Sequence, residues 1–136
     1  MYGVYAVEKF ISHTNNSEIV KQFLNSILVN FIDISQNKFG NYLIQYLLEK
    51  WWWRKEGLIL KKRIISKFEI LSENQYSFFI CSLFITLCNN KEKKQLLFFL
   101  NNLKNKQKNN SFILFFIDDI NNCLLKSSNE NNNNLK

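Results

Sequence analysis

Residues 37 to 50, NKFGNYLIQYLLEK, hold two amide side chains, Asn41 and Gln45, with Tyr42 between them. On an α-helix, positions i and i+4 lie on one face, one turn apart. Each amide carries a hydrogen-bond donor and an acceptor, so the pair matches the edge of a nucleobase, and the neighbouring ring can lie against the plane of a base. We interpret this trio as a reader of one nucleotide.

The same stretch predicts the helix that positions these side chains. A helix that begins near Gly40 places its apolar residues on one stripe facing neighbouring units. That stripe consists of Leu43, Ile44, Leu47 and Leu48. Asn41 and Gln45 then point the other way, with Tyr42 beside them.

This block recurs along the chain. Residues 1–11, 38–48 and 75–85 align at a constant offset of 37, and residues 111–121 follow at an offset of 36. An aromatic residue occupies the same position in every block, namely Tyr5, Tyr42, Phe79 and Phe115. A turn-rich stretch and a second amphipathic helix separate the blocks. A period of this length with two helices per unit predicts an α-solenoid, in which each unit buries its apolar face against its neighbours.

The remaining patterns also predict an all-α fold. Proline is absent, and apolar residues recur with the period of a helix in most of the chain. Residues 76–88, YSFFICSLFITLC, resemble a buried strand when taken alone, but their place in the repeat predicts a helix. We expect a repeat domain over residues 1–126 and a disordered Asn-rich tail over residues 127–136, because the tail has few apolar residues to pack.

The Gly-Asn-Tyr-x-x-Gln core of the second block resembles a repeat of the Pumilio (PUF) family, and the resemblance covers residues 1 to about 103. It implies a right-handed α-solenoid of about three to four repeats, similar to the C-terminal part of a full family member. In that family, the first and fifth residues of a five-residue run contact the base edge and the second stacks between bases. By resemblance, Asn41, Tyr42 and Gln45 read uracil.

The other blocks depart from this pattern at the edge-reading positions. The equivalent trios are Val4, Tyr5 and Glu8 in the first block, Phe78, Phe79 and Ser82 in the third, and Leu114, Phe115 and Asp118 in the fourth. Glu8 resembles the family's guanine-reading acid, but Val4 stands where such repeats usually carry Ser. The stacking ring is present in all four blocks, so the sequence supports single-stranded RNA binding more firmly than a defined target.

The charge of the chain agrees with an anionic partner. The formal net charge is +7, and cations cluster in residues 51–55, 60–67 and 90–94. The alternative interpretation is a lysine-rich, solvated helix surface. Residues 51–53 are three consecutive tryptophans, which cannot all face one side of a helix. We therefore expect at least one to be exposed. The cluster has two open interpretations, a docking or stacking surface, or packing between the end of one repeat and the start of the next, and we favour the packing.

Other chemistry has little support. His13 is the only histidine and lies in a polar turn, and Cys81 and Cys88 fit buried thiols without any CxxC pair. Asp118 and Asp119 are adjacent, so they point in different directions on a helix. No glycine-rich phosphate loop is present. We therefore expect a non-enzyme with no metal, cofactor or small-molecule substrate, no membrane span and a cytoplasmic location.

The resemblance implies a sequence-selective binder of messenger RNA, commonly at 3′ untranslated regions, that limits translation or RNA stability and contacts protein partners on its convex face. Two alternatives stay open. One is an armadillo-like protein-binding scaffold, and the other is a Pumilio-like protein of ribosome assembly that binds RNA without sequence preference. Burial of the four rings would remove the stacking platform and favour the scaffold.

Overall fold

The structure is a computed structural model that describes residues 2–13, 16–106 and 110–134, without the side chains of residues 2–4, 11–13 and 134. The described residues form helices and no strand, so the all-α prediction is confirmed. The helices are α1 (Tyr2–His13), α2 (Ser17–Val29), α3 (Phe31–Ser35), α4 (Gly40–Lys50), α5 (Lys55–Ser66), α6 (Phe68–Ser72), α7 (Phe78–Leu87), α8 (Asn90–Lys106) and α9 (Ser111–Asn134). The strand-like residues 76–88 contain α7, as their place in the repeat predicts.

The chain divides into two compact units, residues 1–84 and 85–136. A three-helix motif begins twice in the first unit. It consists of a long helix, a one-turn helix and a further long helix, first as α2, α3 and α4 and then as α5, α6 and α7. The last residues of α7 belong to the second unit.

The last helix of each motif, and also α9, is preceded by the same hydrogen-bonded asparagine cap. Asn37 Oδ1 accepts from the backbone N–H groups of Phe39 and Gly40, both at 2.9 Å. Asn74 and Asn110 accept from the equivalent N–H groups at the starts of α7 and α9, at 2.9–3.3 Å. These bonds satisfy donors that a helix start otherwise leaves without partners. The three asparagines follow the offsets of 37 and 36 residues read from the sequence.

A close backbone approach explains the glycine in the second repeat. A Cβ atom on Gly40 would collide with the carbonyl oxygen of Ile34. The equivalent residue in the third repeat is Ser77, which is buried and donates its hydroxyl to the carbonyl oxygen of Leu71 at 2.7 Å. Leu71 is the equivalent of Ile34. The equivalent carbonyl therefore approaches the start of the last helix in both repeats. In the second repeat it packs against a glycine, and in the third it accepts a hydrogen bond from a serine hydroxyl.

Equivalent residues also build the core of the first unit. Phe31 and Phe68 begin the one-turn helices 37 residues apart, and both are buried. In α4, Ile44, Leu47 and Leu48 are completely buried, as predicted, whereas the fourth residue of the predicted stripe, Leu43, is only half-buried.

Helices of successive repeats pack side by side in the first unit. α1 packs against α4, and the Tyr46 hydroxyl donates to the carbonyl oxygen of Glu8 at 3.4 Å. α2 packs against α5, and the Arg63 guanidinium donates to the carbonyl oxygen of Leu28 at 3.1 Å. In both pairs, a helix packs against the helix at the equivalent position of the next repeat.

The three tryptophans occupy the turn between α4 and α5. Trp51 and Trp52 are buried and Trp53 is exposed, so the prediction that at least one is exposed is confirmed. The carbonyl of Trp51 lies so close to Gly57 that a Cβ atom there would collide with it. Trp52 makes an edge contact with Phe84, at 5.6 Å between ring centroids. Two of the three rings therefore hold the turn in place.

In the second unit, α8 and α9 pack against each other. Their buried residues are Leu96, Leu100, Ile113, Phe116, Ile117 and Ile120. The structure places residues 127–134 in α9, where the composition predicts a disordered tail, and residues 135–136 lie outside the described part. Extending an existing helix avoids the unfavourable nucleation step. The hydroxyls of Ser127 and Ser128 donate to carbonyl oxygens one turn back, both at 3.2 Å.

Candidate nucleic-acid interface

The four predicted stacking rings have nearly the same exposure. Tyr5 and Tyr42 are 57% exposed, Phe79 is 56% exposed and Phe115 is 54% exposed. A base can stack on an aromatic side chain only where solvent reaches it, and about half of the surface of each of these residues is in contact with solvent. The structure therefore leaves all four rings accessible to a ligand, three in the first unit and one in the second.

The packing of each helix explains this exposure. On α4, the buried Ile44 and Leu47 lie on the side that packs, and Tyr42 lies on the opposite side. On α7 and α9, a second phenylalanine contacts the predicted stacking ring. Phe78 contacts Phe79 edge-on at 5.9 Å, and the buried Phe116 contacts Phe115 in the same way at 5.4 Å.

The orientation predicted for Asn41 is not the one in the structure. Asn41 is buried, with 2% of its surface exposed, instead of lying on the open face. Its amide Nδ2 donates to the carbonyl oxygens of Asn37 and Lys38 at 2.9 and 2.8 Å. Those carbonyls lie just before α4, and they draw the amide towards the backbone. In this arrangement, Asn41 braces the start of the helix.

Gln45 is half-buried and bonded to the same residue. Its Nε2 donates to Asn41 Oδ1 at 2.9 Å, so the two amides meet across one helical turn as their spacing predicts. One N–H of Gln45 is used in this bond. Its carbonyl oxygen and second N–H are the groups that could meet a base edge.

The edge-reading positions of the other repeats differ in exposure and in the hydrogen-bonding groups they offer. Glu8 is half-buried on α1, one turn after Tyr5, and the side chain of Val4 lies outside the described residues. Phe78 and Ser82 are both half-buried on α7. Phe78 supplies no hydrogen-bonding group and supports the neighbouring ring instead. Asp118 is exposed on α9, one turn after Phe115, beside the exposed Leu114. The polar edge-reading candidates beside exposed rings are therefore Glu8, Gln45 and Asp118, with Ser82 as a smaller fourth.

Lysines lie near two exposed aromatic rings of the first unit. Lys9 Nζ is 5.1 Å from the centroid of the Tyr5 ring, and Lys38 Nζ is 5.6 Å from that of Phe39. Both distances are within the range of a cation–π contact. A cation beside a stacking ring can also meet the phosphate of a stacked nucleotide.

Sequence reasoning did not identify which tryptophan is exposed or what surrounds it. Trp53 is 85% exposed, and Lys61 Nζ lies 5.7 Å from its ring centroid and 3.7 Å from that of Trp52. The run of three tryptophans followed by Arg and Lys signals one exposed ring near cations. The choice among the three depends on where α4 ends and α5 begins.

Two further reactive residues noted in the sequence, Cys81 and His13, lie outside this set of rings and amides. Burial raises the pKa of the Cys81 thiol, and a hydrogen bond with the backbone lowers it in part, so the thiol stays protonated at neutral pH. His13 has its side chain outside the described part. Within that part, no three His, Cys, Asp or Glu side chains come together as a metal site, and no helix is long and apolar enough to cross a membrane.

Comparison with known proteins adds no relative. No protein-family model matches the chain, and no curated protein or solved structure matches it either.

Proposed function

We propose that this protein binds single-stranded RNA through bases stacked on equivalent rings of an α-solenoid, a right-handed array of about three to four Pumilio-like repeats. The repeated three-helix motif, its repeated asparagine cap and the side-by-side packing of α1 with α4 and of α2 with α5 support the solenoid. The resemblance of the second repeat to the Pumilio family favours messenger RNA as the ligand and post-transcriptional regulation as the role.

The observation that carries this proposal is the shared exposure of Tyr5, Tyr42, Phe79 and Phe115. A hydrophobic core gives no reason to leave the same aromatic position open in every repeat, whereas base stacking requires it. Each stacked base contributes roughly 1–3 kcal/mol, so four rings supply about 4–12 kcal/mol before ordering costs. A micromolar complex requires about 8 kcal/mol. We therefore expect stacking and phosphate contacts together to reach about micromolar affinity once ordering costs are subtracted.

Base selectivity is expected to be limited and confined to few repeats. Gln45, Glu8 and Asp118 offer polar groups beside exposed rings. Phe78 and Leu114 offer none, so the third and fourth repeats lack one of their two edge-reading groups. The Asn41 amide is already bonded within the protein. We expect a preference for uracil at the second repeat and for guanine at the first, with little preference elsewhere.

The first test is selection from a randomised pool of short single-stranded RNA, with Tyr42→Ala and Gln45→Ala compared with the unchanged protein. Loss of the Tyr42 ring should weaken binding about 5- to 150-fold, because one stacked base is lost. Loss of the Gln45 amide should remove the uracil preference and change affinity less. Affinities are measured by fluorescence anisotropy of a labelled selected RNA.

Phe98→Ala is the matched control, because Phe98 is an exposed aromatic residue on α8 outside the stacking positions. It should leave RNA affinity unchanged. Equal weakening by Phe98→Ala and Tyr42→Ala would point to general adhesion of RNA to exposed rings. No measurable RNA binding by the unchanged protein would refute the proposal.

A protein-binding scaffold is the second candidate, favoured by the apolar Phe78 and Leu114 at edge-reading positions. Apolar side chains next to exposed rings form a surface suited to protein contacts. This candidate predicts no enrichment in the RNA selection.

A further inference from the structure

We propose that the turn between α4 and α5 carries a second RNA contact, in which Trp53 stacks a base of any identity and Arg54 and Lys61 hold the adjoining phosphates. This inference rests on the proposed function, because both sites would bind single-stranded RNA. It uses residues outside the four stacking positions, so the two can be tested separately.

The turn presents the Trp53 ring on a fixed support. Trp53 is 85% exposed, while its two preceding neighbours are buried. The Arg54 backbone N–H donates to the Trp51 carbonyl at 2.8 Å, and the same carbonyl packs against Gly57. An indole held out from a rigid turn loses little freedom when a ligand covers it, which favours binding.

The surroundings of Trp53 are positively charged. Residues 51–67 contain six Lys and Arg side chains and one acid, Glu56. The Glu56 side chain is 7% exposed, and its Oε2 lies 3.4 Å from Arg54 Nε, so it is turned away from the solvent. Lys61 Nζ lies 5.7 Å from the centroid of the Trp53 ring. A phosphate next to a base stacked on Trp53 would therefore lie near the Lys61 ammonium group.

This chemistry suits a nucleotide better than a protein partner. Lys61 lies next to the Trp53 ring, and residues 51–67 carry six cations against one acid, so this surface favours an anionic ligand. The nearby apolar residues, Leu58 and Ile59, are exposed on α5 and would matter to a protein partner. They should be irrelevant to a stacked base, and this difference separates the two ligands experimentally.

The test uses oligocytidylate, which contains no uracil or guanine, as the probe. Trp53 is the exposed tryptophan and the other two are buried, so stacking on Trp53 should quench the accessible part of the tryptophan fluorescence. Trp53→Ala should abolish that quenching and weaken binding about 5- to 150-fold, measured by anisotropy of labelled RNA. Leu58→Ala is the matched control and should change neither signal.

The phosphate contact has its own readout. Lys61→Met removes the charge and keeps an aliphatic stem over Trp52. It should make the slope of log affinity against log salt shallower by about 0.7, the value for one phosphate of a single strand. Thermal unfolding of every variant shows whether the fold is retained.

The outcomes separate this site from the four stacking rings. RNA binding that Tyr42→Ala weakens, with no quenching and no effect of Trp53→Ala, would overturn the second site and leave the proposed function standing. Quenching that persists when all four stacking rings are changed to Ala would support the second site alone. Quenching by polyglutamate equal to that by RNA, or weakening by Leu58→Ala equal to that by Trp53→Ala, would overturn the nucleotide assignment.

Discussion

At the scale of single residues, Asn41 and Tyr42 are sequence neighbours with opposite environments. Asn41 is buried and bonded to two backbone carbonyls, while Tyr42 holds more than half of its surface in water. A helix turns by about 100° per residue, so adjacent residues can serve the fold and a ligand separately. This division explains why the ring is retained in each repeat while the preceding residue varies between Val, Asn, Phe and Leu.

Replacing Gly57 should destabilise the first unit through a single steric collision. In an exposed helix interior, Gly→Ala is favourable by about 1 kcal/mol. In α5, the added methyl group would collide with the Trp51 carbonyl, so we expect Gly57→Ala to lower the free energy of unfolding by about 1–3 kcal/mol. Urea denaturation followed by circular dichroism measures it.

The matched control for Gly57 is Lys62→Ala, a change at an exposed residue of the same helix. It should alter the free energy of unfolding by less than about 0.5 kcal/mol. A Gly57→Ala protein more stable than the unchanged one would mean that the turn can move away from α5.

At the scale of helices, an asparagine side chain caps the chain at the approach to α4, α7 and α9. Each cap accepts from two backbone N–H groups, two and three residues after the asparagine. The spacing of the caps matches the spacing of Tyr42, Phe79 and Phe115, so each of these three rings lies within the first two turns of a capped helix.

Replacing a cap should therefore weaken the repeat that contains it. We expect Asn37→Ala, Asn74→Ala and Asn110→Ala each to lower the free energy of unfolding by about 1 kcal/mol, because each leaves backbone donors without a partner. Denaturant midpoints measure this effect. Asn25→Ala is the control, because Asn25 is exposed in the interior of α2, where Ala is the better helix former. Equal losses at Asn25 and Asn37 would rule out a special role for the caps.

The helices were largely predictable from the sequence, and the side-chain environments were less so. Apolar periodicity predicted a helix starting near Gly40, and the repeat predicted α7 despite its strand-like composition. The inward turn of Asn41 was not predictable, because it depends on carbonyls that face it only after the preceding turn has folded. Likewise, the helical residues 127–134 follow from continuation of a packed helix, which composition does not reveal.

At the scale of the whole molecule, the affinity of the proposed RNA complex should depend on the excess of positive charge. The net charge is +7, and the stacking rings are distributed over both compact units. Stacking on aromatic rings hardly depends on salt, whereas phosphate contacts release counterions and do. Salt therefore separates the two contributions to binding.

We expect log affinity for single-stranded RNA to fall linearly with log salt. If each of four repeats contacts one phosphate, the slope is about −3, equivalent to roughly a 50-fold loss between about 50 and 200 mM salt. Tyr42→Ala should give a parallel line at lower affinity, because it removes a base contact and no charge. Anisotropy titrations across a salt series measure both lines. A flat line for the unchanged protein would show that phosphates are not contacted.

The repeated asparagine cap also bears on how such a chain can change in length over evolution. Each motif carries its own start signal at the same internal position, at Asn37 and Asn74, and α9 has the equivalent signal at Asn110. A gene that gains or loses one repeat, about 37 codons, keeps the beginning of every remaining helix intact. Duplication and deletion of whole repeats are therefore the changes that this architecture tolerates best, and in the proposed RNA complex each would lengthen or shorten the footprint by one stacked base.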